Sequence, residues 1–170
     1  MATTTAVSDD SVRDTVKKIF TEYLVKHEHR KTPERYAILD EIYTRSGHFD
    51  VEALYKFMKE KNYRVSRATL YNTIELLLDS KLLVKHQFGK NMAQFERTYG
   101  NAPHDHLICT NCGKIFDTTD SNIDSIVKEI AINAEFTASH HSLYIYGTCA
   151  ECQGLHNENL FDYSITPNKS

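Results

Sequence analysis

The sequence predicts an α+β fold, and three observations support this prediction. Apolar residues recur at helical spacing through most of the first 80 residues, whereas later segments have the alternating pattern of strands. Four cysteines form two Cys-x-x-Cys pairs in the second half of the chain, a spacing typical of metal sites. A length of 170 residues fits one large domain or two small ones, and the change of pattern near residue 98 favours two.

Two helices are predicted in the first 45 residues. The first spans residues 11–27, where valine, isoleucine and aromatic side chains follow helical spacing. The second begins at Thr32, a residue type that caps helices well, and continues to about residue 45. Pro33 fits the first turn of this helix because the backbone N–H that proline lacks has no intrahelical partner there.

A third and a fourth helix are each predicted from a capping residue. Asp50 precedes the third helix, and Ser66 precedes the fourth, which runs over residues 67–80. The apolar side of the fourth helix consists of Leu70, Ile74, Leu77 and Leu78. Its first turns present Arg67, Thr69, Tyr71, Asn72 and Thr73.

A β-hairpin is predicted after the fourth helix. Residues 82–88 and 92–97 are extended segments, and the Gly-Lys-Asn sequence at 89–91 is a turn. Three helices, a polar-fronted fourth helix and a hairpin are the element order of a winged helix-turn-helix, in which such a fourth helix lies in the DNA major groove. The alternative is a helical bundle whose polar side is ordinary solvated surface.

The second domain is predicted to be small and α+β. Strands are expected at residues 106–109, 114–118 and 142–148, with a helix whose cap is Ser121 and whose third position, Asp124, completes a capping pair. The predicted organisation is a winged helix at 11–97, a hinge at 98–103, a zinc-stapled domain at 104–152 and a weakly ordered tail at 153–170.

The four cysteines Cys109, Cys112, Cys149 and Cys152 are predicted to hold one structural zinc ion. Each pair lets two thiolates from one turn reach the same ion, and two pairs complete a tetrahedral sulfur site. Gly113 supplies the backbone freedom that such a turn needs. Two disulfides are the alternative, but the first 30 residues contain no apolar secretory signal, so we expect a reducing, cytoplasmic environment that favours metal.

Charge is distributed unevenly along the chain. Residues 1–97 contain 17 Lys/Arg and 14 Asp/Glu, whereas residues 98–170 contain 3 and 9. The basic first part favours a polyanionic partner, although an excess of this size also occurs on ordinary solvated surfaces. No apolar run approaches the length of a bilayer span, so we expect a soluble protein without membrane association.

Several motifs together resemble the ferric uptake regulator family. Residues 104–114 read HDHLICTNCGK, residues 142–152 read SLYIYGTCAEC, and Thr-Pro-x-Arg and Ala-Thr-Leu-Tyr occur at 32–35 and 68–71. The similarity extends over about residues 11–152. It implies a dimeric, metal-responsive bacterial repressor that binds a palindromic operator in double-stranded DNA, with an N-terminal winged helix and a C-terminal α/β dimerisation domain.

The resemblance also implies a regulatory metal site that takes ligands from both sides of the hinge. Its implied ligands are His48, Glu96, His104, His106 and Asp117. His104 and His106 are two residues apart on an extended segment, so their side chains point the same way. Ligands on both sides of a hinge would convert metal binding into a defined angle between the domains. We interpret His27, His29, His86 and His156 as solvated.

A third metal site is implied at Asp105, Asp124 and His141. Pro103 stands where many family members have an additional histidine, which removes one ligand from this site. His140 is a substitute only if it faces the same way as His141, and neighbouring residues of a strand face opposite ways.

The regulatory donor set suits iron(II) or manganese(II), although zinc or cobalt also bind such ligands in vitro. Zinc-sensing relatives typically add a cysteine to this site, and all four cysteines here are assigned already. Asp117 and Asn72 resemble the peroxide-sensing branch of the family, in which a ligand histidine, here His48 or His104, is oxidised. Glu96 instead resembles the iron sensors. We therefore favour control of iron uptake and keep peroxide sensing as the alternative.

DNA contacts are predicted from the fourth helix and the hairpin turn. Thr69 and Tyr71 are expected near bases, with Asn72 beside them, and Arg67 or Lys90 on phosphates. A catalytic metal site is the first rival interpretation, but such sites keep an open position, and five protein ligands leave little room for one. A zinc-ribbon interaction module without DNA affinity is the second, and the amphipathic fourth helix and the hairpin argue against it.

Overall fold

Two structural units meet in sequence between Ala102 and Pro103, and each is described by itself. The computed structural model of the protein describes residues 9–88 and 93–154. The first unit contains α1 (Asp9–Lys26), α2 (Pro33–Tyr43), α3 (Val51–Glu60), α4 (Arg67–Asp79), β1 (Leu83–Gln87) and β2 (Ala93–Arg97). The second contains β3 (Asp105–Cys109), β4 (Ile115–Thr118), α5 (Ser121–Asn133) and β5 (Tyr144–Gly147). None of the helices in the described ranges combines the length and the hydropathy of a transmembrane span.

The core of the first unit forms between the apolar sides of its four helices and the hairpin. Its largest fully buried side chains are Phe20, Leu24, Ile38, Leu39, Ile42, Tyr43, Leu54, Met58, Leu70, Ile74, Leu77 and Leu82. The Tyr43 hydroxyl is satisfied inside this core because it donates a 2.7 Å hydrogen bond to the carbonyl of Leu82. One side of α4 packs in this core, and its other side is exposed to solvent.

The predicted caps of the third and fourth helices are confirmed. The Asp50 carboxylate accepts a 2.7 Å hydrogen bond from the Ala53 N–H, and the Ser66 hydroxyl accepts one of 3.0 Å from the Thr69 N–H. Thr32 occupies the predicted cap position of α2, and its side chain makes no capping hydrogen bond.

Strands β1 and β2 form the predicted antiparallel hairpin, here called the wing. The register pairs Val84 with Glu96 and His86 with Gln94. A further bridge joins Phe49, just before α3, to Phe95 of β2 through two backbone hydrogen bonds of 3.0 and 2.8 Å. The predicted turn at 89–91, with Lys90, lies outside the described residues.

The second unit is a three-stranded sheet in the order β4-β3-β5, with β4 antiparallel and β5 parallel to the central β3. The prediction of Ser121 as the cap of α5 is wrong by one residue. The Asp120 carboxylate accepts a 2.8 Å hydrogen bond from the Asn122 N–H, and Ser121 is the first residue of the helix itself. Asp caps a helix as well as Ser does, and here it stands one position earlier. Of the predicted tail, residues 155–170 lie outside the description.

Candidate metal centres and nucleic-acid interface

The four cysteines lie together at one end of the second sheet. Cys109 ends β3 and pairs with Gly147 of β5, so the turn after β3 and the turn after β5 emerge side by side. The four sulfur atoms all lie within 4.8 Å of one another, and the Cys112 and Cys149 sulfurs are 3.7 Å apart. Two sulfurs bound to zinc at about 2.3 Å in a tetrahedron are separated by about 3.8 Å, so the cluster fits a structural zinc.

The electrostatics of this cluster favour a bound cation. Hydrogen bonds from the backbone N–H groups of Cys149 and Cys112 lower the pKa of the Cys109 thiol to about 6. In contrast, the neighbouring thiols of Cys112 and Cys149 raise the pKa of Cys152 to about 12. Four thiols this close cannot all ionise unless a positive ion compensates their charge. Gly113, with φ of +75°, makes the turn after Cys112 as predicted.

The winged-helix unit contains two of the predicted regulatory ligands and one histidine that was not predicted. His48 precedes α3, Glu96 lies on β2, and His86 lies on β1. The Glu96 Oε2 atom is 3.4 Å from the Nε2 atom of His48 and 3.3 Å from that of His86. The side chains of these three residues are 4 to 8 % exposed.

His86 is therefore not solvated, and that interpretation of the sequence is wrong. It lies on the same side of β1 as Val84 and Phe88, whereas Lys85 and Gln87 on the other side are exposed. The alternation of Val84, His86 and Phe88 was the sequence signal that places this histidine on the inner side of the strand. His27 and His29 are exposed as expected, and His156 lies outside the described residues.

The Glu96 carboxylate is oriented by the segment that follows the wing. The Asn101 side-chain amide donates a 2.6 Å hydrogen bond to Glu96 Oε1. Arg97 in turn donates through Nε to the side-chain oxygen Oδ1 of Asn101 at 3.3 Å and through Nη1 to the backbone carbonyl of Tyr43 at 3.0 Å. With Oε1 engaged by Asn101, Oε2 is the oxygen that faces both imidazoles. Such outer hydrogen bonds fix the direction in which a carboxylate can bind a metal.

The second unit brings together the other three predicted regulatory ligands. His106 of β3 is directly opposite Asp117 of β4, and His104 lies two residues before His106 on the same side. One ligand atom from each of these residues lies within 4.8 Å of the others, and the two imidazole centroids are 4.9 Å apart. His104 Nε2 is 3.9 Å from an Asp117 carboxylate oxygen. This nitrogen/oxygen set differs chemically from the nearby sulfur cluster.

The residues of the implied third site line one cleft of about 590 Å³ in the second unit. Asp105 lines this cleft together with His104. Its carboxylate lies 3.6 Å from His141 Nε2 and accepts a 3.0 Å hydrogen bond from the Leu143 N–H. Asp124 and His140 also line the cleft. Within the described residues, however, Asp105, Asp124 and His141 do not form a group whose ligand atoms all lie within 4.8 Å.

The exposed side of α4 carries most of the predicted DNA contacts. Tyr71 is 48 % exposed, Asn72 is exposed and Thr69 is half-buried. Thr73, which the sequence pattern placed on this side, is instead fully buried, and its hydroxyl donates to the Thr69 carbonyl. Lys90 cannot be placed because it lies outside the described residues.

Arg67 is engaged by an acidic residue of the preceding helix. Its Nη1 atom lies 3.0 and 2.8 Å from the two carboxylate oxygens of Glu52, and its guanidinium lies 4.4 Å from the ring centroid of Tyr55. A phosphate would compete with Glu52 for the Nη1 donor of this guanidinium. The ion pair therefore competes with one of the predicted DNA contacts.

A winged helix joined to a sheet that bears sulfur and histidine–carboxylate clusters defines a metal-binding winged-helix protein. Residues 26–146 match the sequence model of the Ferric uptake regulator family, and the chain belongs to this family.

Known members of the family are similar to the chain over most of their length. It is 34% identical to the peroxide operon regulator of Bacillus subtilis over 128 residues, 75% of this chain and 87% of that protein. It is 36% identical to the ferric uptake regulation protein of Escherichia coli K12 over 104 residues, 61% of this chain and 70% of that protein. Among solved structures, the ferric uptake regulator from Pseudomonas aeruginosa with manganese has a TM-score of 0.65 at 28% identity, covering 76% of this chain and 96% of that chain.

Proposed function

We propose that the protein is a metal-dependent, DNA-binding transcriptional repressor that controls iron uptake or iron homeostasis. The observation that carries this proposal is the presence of histidine–carboxylate sets in both units, with His48 and Glu96 in the winged helix and His104, His106 and Asp117 in the second unit. Membership of the ferric uptake regulator family supports it. This function is regulatory and not enzymatic.

The regulatory metal is iron(II) or manganese(II), because imidazole and carboxylate donors suit both ions. A bound divalent ion accepts electron pairs from these donors and so connects the chain segments that carry them. His48 and Glu96 contribute the winged-helix ligands, and His104, His106 and Asp117 contribute the others. In the absence of metal, only the fraction of molecules with a DNA-competent arrangement binds the operator, so the apparent affinity falls by that fraction.

Zinc has a separate, structural role at the four cysteines. The second unit is small, and none of the side chains of α5 is buried. A metal that ties the turn after β3 to the turn after β5 adds the stabilisation that a small core lacks. Metal removal should therefore affect folding of this unit, whereas loss of the regulatory ion should affect DNA binding.

The DNA partner is a palindromic operator, and the protein binds it as a homodimer in the cytoplasm. The second unit exposes large apolar side chains on α5 and on its sheet, including Ile126, Ile130, Phe116 and Ile145. An apolar surface of this kind is typical of an interface, and a second copy of the chain supplies a matching one. A two-fold dimer presents two α4 helices to two half-sites.

Peroxide sensing is the alternative function, and Asp117 together with the similarity to the peroxide operon regulator favours it. In this mechanism, iron(II) and hydrogen peroxide add one oxygen atom to the imidazole of His48 or His104. Mass spectrometry of the peptides after peroxide treatment distinguishes the two functions. A peroxide sensor should be oxidised with iron and protected with manganese, whereas an iron sensor should resist micromolar peroxide with either ion.

Operator binding of the full-length, zinc-loaded protein tests the proposal. Fluorescence anisotropy with iron(II) or manganese(II) should show at least about tenfold tighter binding than without added metal. His106→Ala should abolish this activation and retain zinc and the dimer, whereas the exposed control His29→Ala should behave as wild type. Equal affinity of the wild type with and without metal would contradict the proposed function.

A further inference from the structure

The wing brings an additional imidazole to Glu96. In the β1–β2 register, Val84 is opposite Glu96 and His86 is opposite Gln94, so His86 and Glu96 are diagonal neighbours on one side of the hairpin. Their Nε2 and Oε2 atoms are 3.3 Å apart, and both residues are buried. The wing alone therefore provides one nitrogen and one oxygen donor that point at a common position.

His48 completes this arrangement from the other side. The two backbone hydrogen bonds between Phe49 and Phe95 hold the segment before α3 against β2. His48 Nε2 consequently lies 3.4 Å from the same Glu96 oxygen, and the His48 and His86 ring centroids are 5.4 Å apart. One donor atom from each of the three residues lies within 4.8 Å of the other two.

The distances fit a metal site as well as a hydrogen-bonded cluster. His86 Nε2 and Glu96 Oε2 are hydrogen-bonded at 3.3 Å, and His48 Nε2 lies 3.4 Å from the same oxygen, so a bound ion would take the place of the imidazole proton between them. Two donors that bind one ion at about 2.1 Å, at an angle close to tetrahedral, are about 3.4 Å apart. Two imidazoles and one carboxylate are also the donor set that holds iron(II) in non-haem sites with open positions.

The surroundings suit such a site as well. Asn101 engages the other Glu96 oxygen at 2.6 Å, which leaves Oε2 directed at both imidazoles. The buried Phe88 ring stacks on His86 with a centroid distance of 5.3 Å and an interplanar angle of 6°, and it meets the His48 ring edge-to-face. An apolar wall beside the donors limits access of water and holds the imidazoles in place.

We propose that the winged-helix unit holds a divalent first-row metal ion through His48, His86 and Glu96, with His86 as a ligand contributed by the wing. This inference rests on the proposed function, because it shares His48 and Glu96 with the regulatory site. It adds a donor from β1, so metal binding ties both strands of the wing to the segment before α3. Metal binding thereby fixes the wing through residues of the winged-helix unit alone.

Cobalt(II) binding to the full-length, zinc-loaded protein tests this proposal. The His104→Ala/His106→Ala variant lacks both histidines that the second unit contributes to the proposed regulatory site. It should still bind one equivalent of cobalt(II), with two exchangeable, paramagnetically shifted imidazole N–H signals in the NMR spectrum. Adding His86→Ala or His86→Gln should remove one signal and weaken binding at least about tenfold, whereas the exposed control His27→Ala should change neither.

The outcomes separate this inference from the proposed function. If the double variant binds no cobalt(II), or if both His86 substitutions leave the signals and the affinity unchanged, the wing site does not exist, even where the wild type is activated by metal for DNA binding. Conversely, a wild type whose DNA affinity is insensitive to metal contradicts the proposed function, whatever cobalt(II) does at the wing. His86→Gln keeps a polar side chain of similar size. If His86→Ala does not fold, His86→Gln still tests the proposal.

Discussion

At the scale of single residues, Glu41 is the buried charge that most clearly connects two elements. Its side chain on α2 is 3 % exposed, and its two oxygens accept hydrogen bonds of 2.6 Å from Arg45 and 2.7 Å from Lys61, the residue that ends α3. Burial raises the pKa of this carboxyl, but the hydrogen bonds from Lys61 and Arg45 outweigh it and hold the pKa below its usual value. The ionised form is therefore part of the folded structure.

Glu41→Gln should lower the free energy of unfolding of the winged helix by about 1.5–3 kcal/mol near neutral pH, because charged hydrogen bonds of this kind are lost. The pKa is lower in the folded than in the unfolded state. The stabilisation is thus complete above the unfolded pKa of about 4.3 and disappears as pH falls through the folded value. Urea unfolding followed by circular dichroism should show the difference from wild type shrinking in acid. The exposed Glu75→Gln is the control, and an equal effect of both substitutions at pH 7 would argue against this role.

At the scale of elements, α3 and α4 interact at the first turn of α4, the helix predicted to contact DNA. Ser66 caps α4, and Glu52 on α3 forms an ion pair with Arg67, so the first turn of α4 carries both a cap and an ion pair. Both partners of the pair are more than half exposed, which makes it weak. Arg67 can therefore exchange Glu52 for a phosphate at little cost.

Glu52→Gln should raise operator affinity about two- to fivefold, since an exposed ion pair worth up to about 1 kcal/mol no longer competes with DNA. Glu75→Gln, an equal charge change on α4, is the matched control. A double-mutant cycle identifies the cause, because in an Arg67→Ala background Glu52→Gln should do no more than Glu75→Gln. If Glu52→Gln had the same effect with and without Arg67, the ion pair would not be the competing interaction.

At the scale of the whole molecule, the second unit exposes several large apolar side chains on one helix. No α5 residue is buried, and Ile126, Ile130 and Ile132 are 56, 63 and 75 % exposed. The first unit has a closed core by comparison. This asymmetry is why the proposed homodimer is expected to form through the second unit.

Ile130→Glu should dissociate the proposed homodimer, because a charge that loses water in an apolar interface is strongly unfavourable. The dimer should weaken at least about 100-fold, which corresponds to about 3 kcal/mol. Sedimentation equilibrium measures this directly. Lys128→Glu changes charge on the opposite side of the same exposed helix and should leave the dimer intact. A dimer of unchanged affinity in Ile130→Glu would show that this side of α5 is not the interface.

Local signals in the sequence are enough to predict most helices and strands and the sulfur site. Apolar periodicity and the caps Asp50 and Ser66 specify helices through local interactions. The spacing of the two Cys-x-x-Cys pairs is by itself enough to predict a metal site. Where two local signals competed, as at Asp120 and Ser121, the sequence identified the helix but not its first residue.

Tertiary structure alone decided which distant side chains meet. His86 became a neighbour of His48 and Glu96 because hairpin register and the Phe49–Phe95 bridge bring three separate segments together. The ion pair between Arg67 and Glu52 likewise depends on how α3 packs near α4. Strand register and helix packing depend on how whole elements bury their apolar sides. The spacing of residues within a single motif does not indicate this.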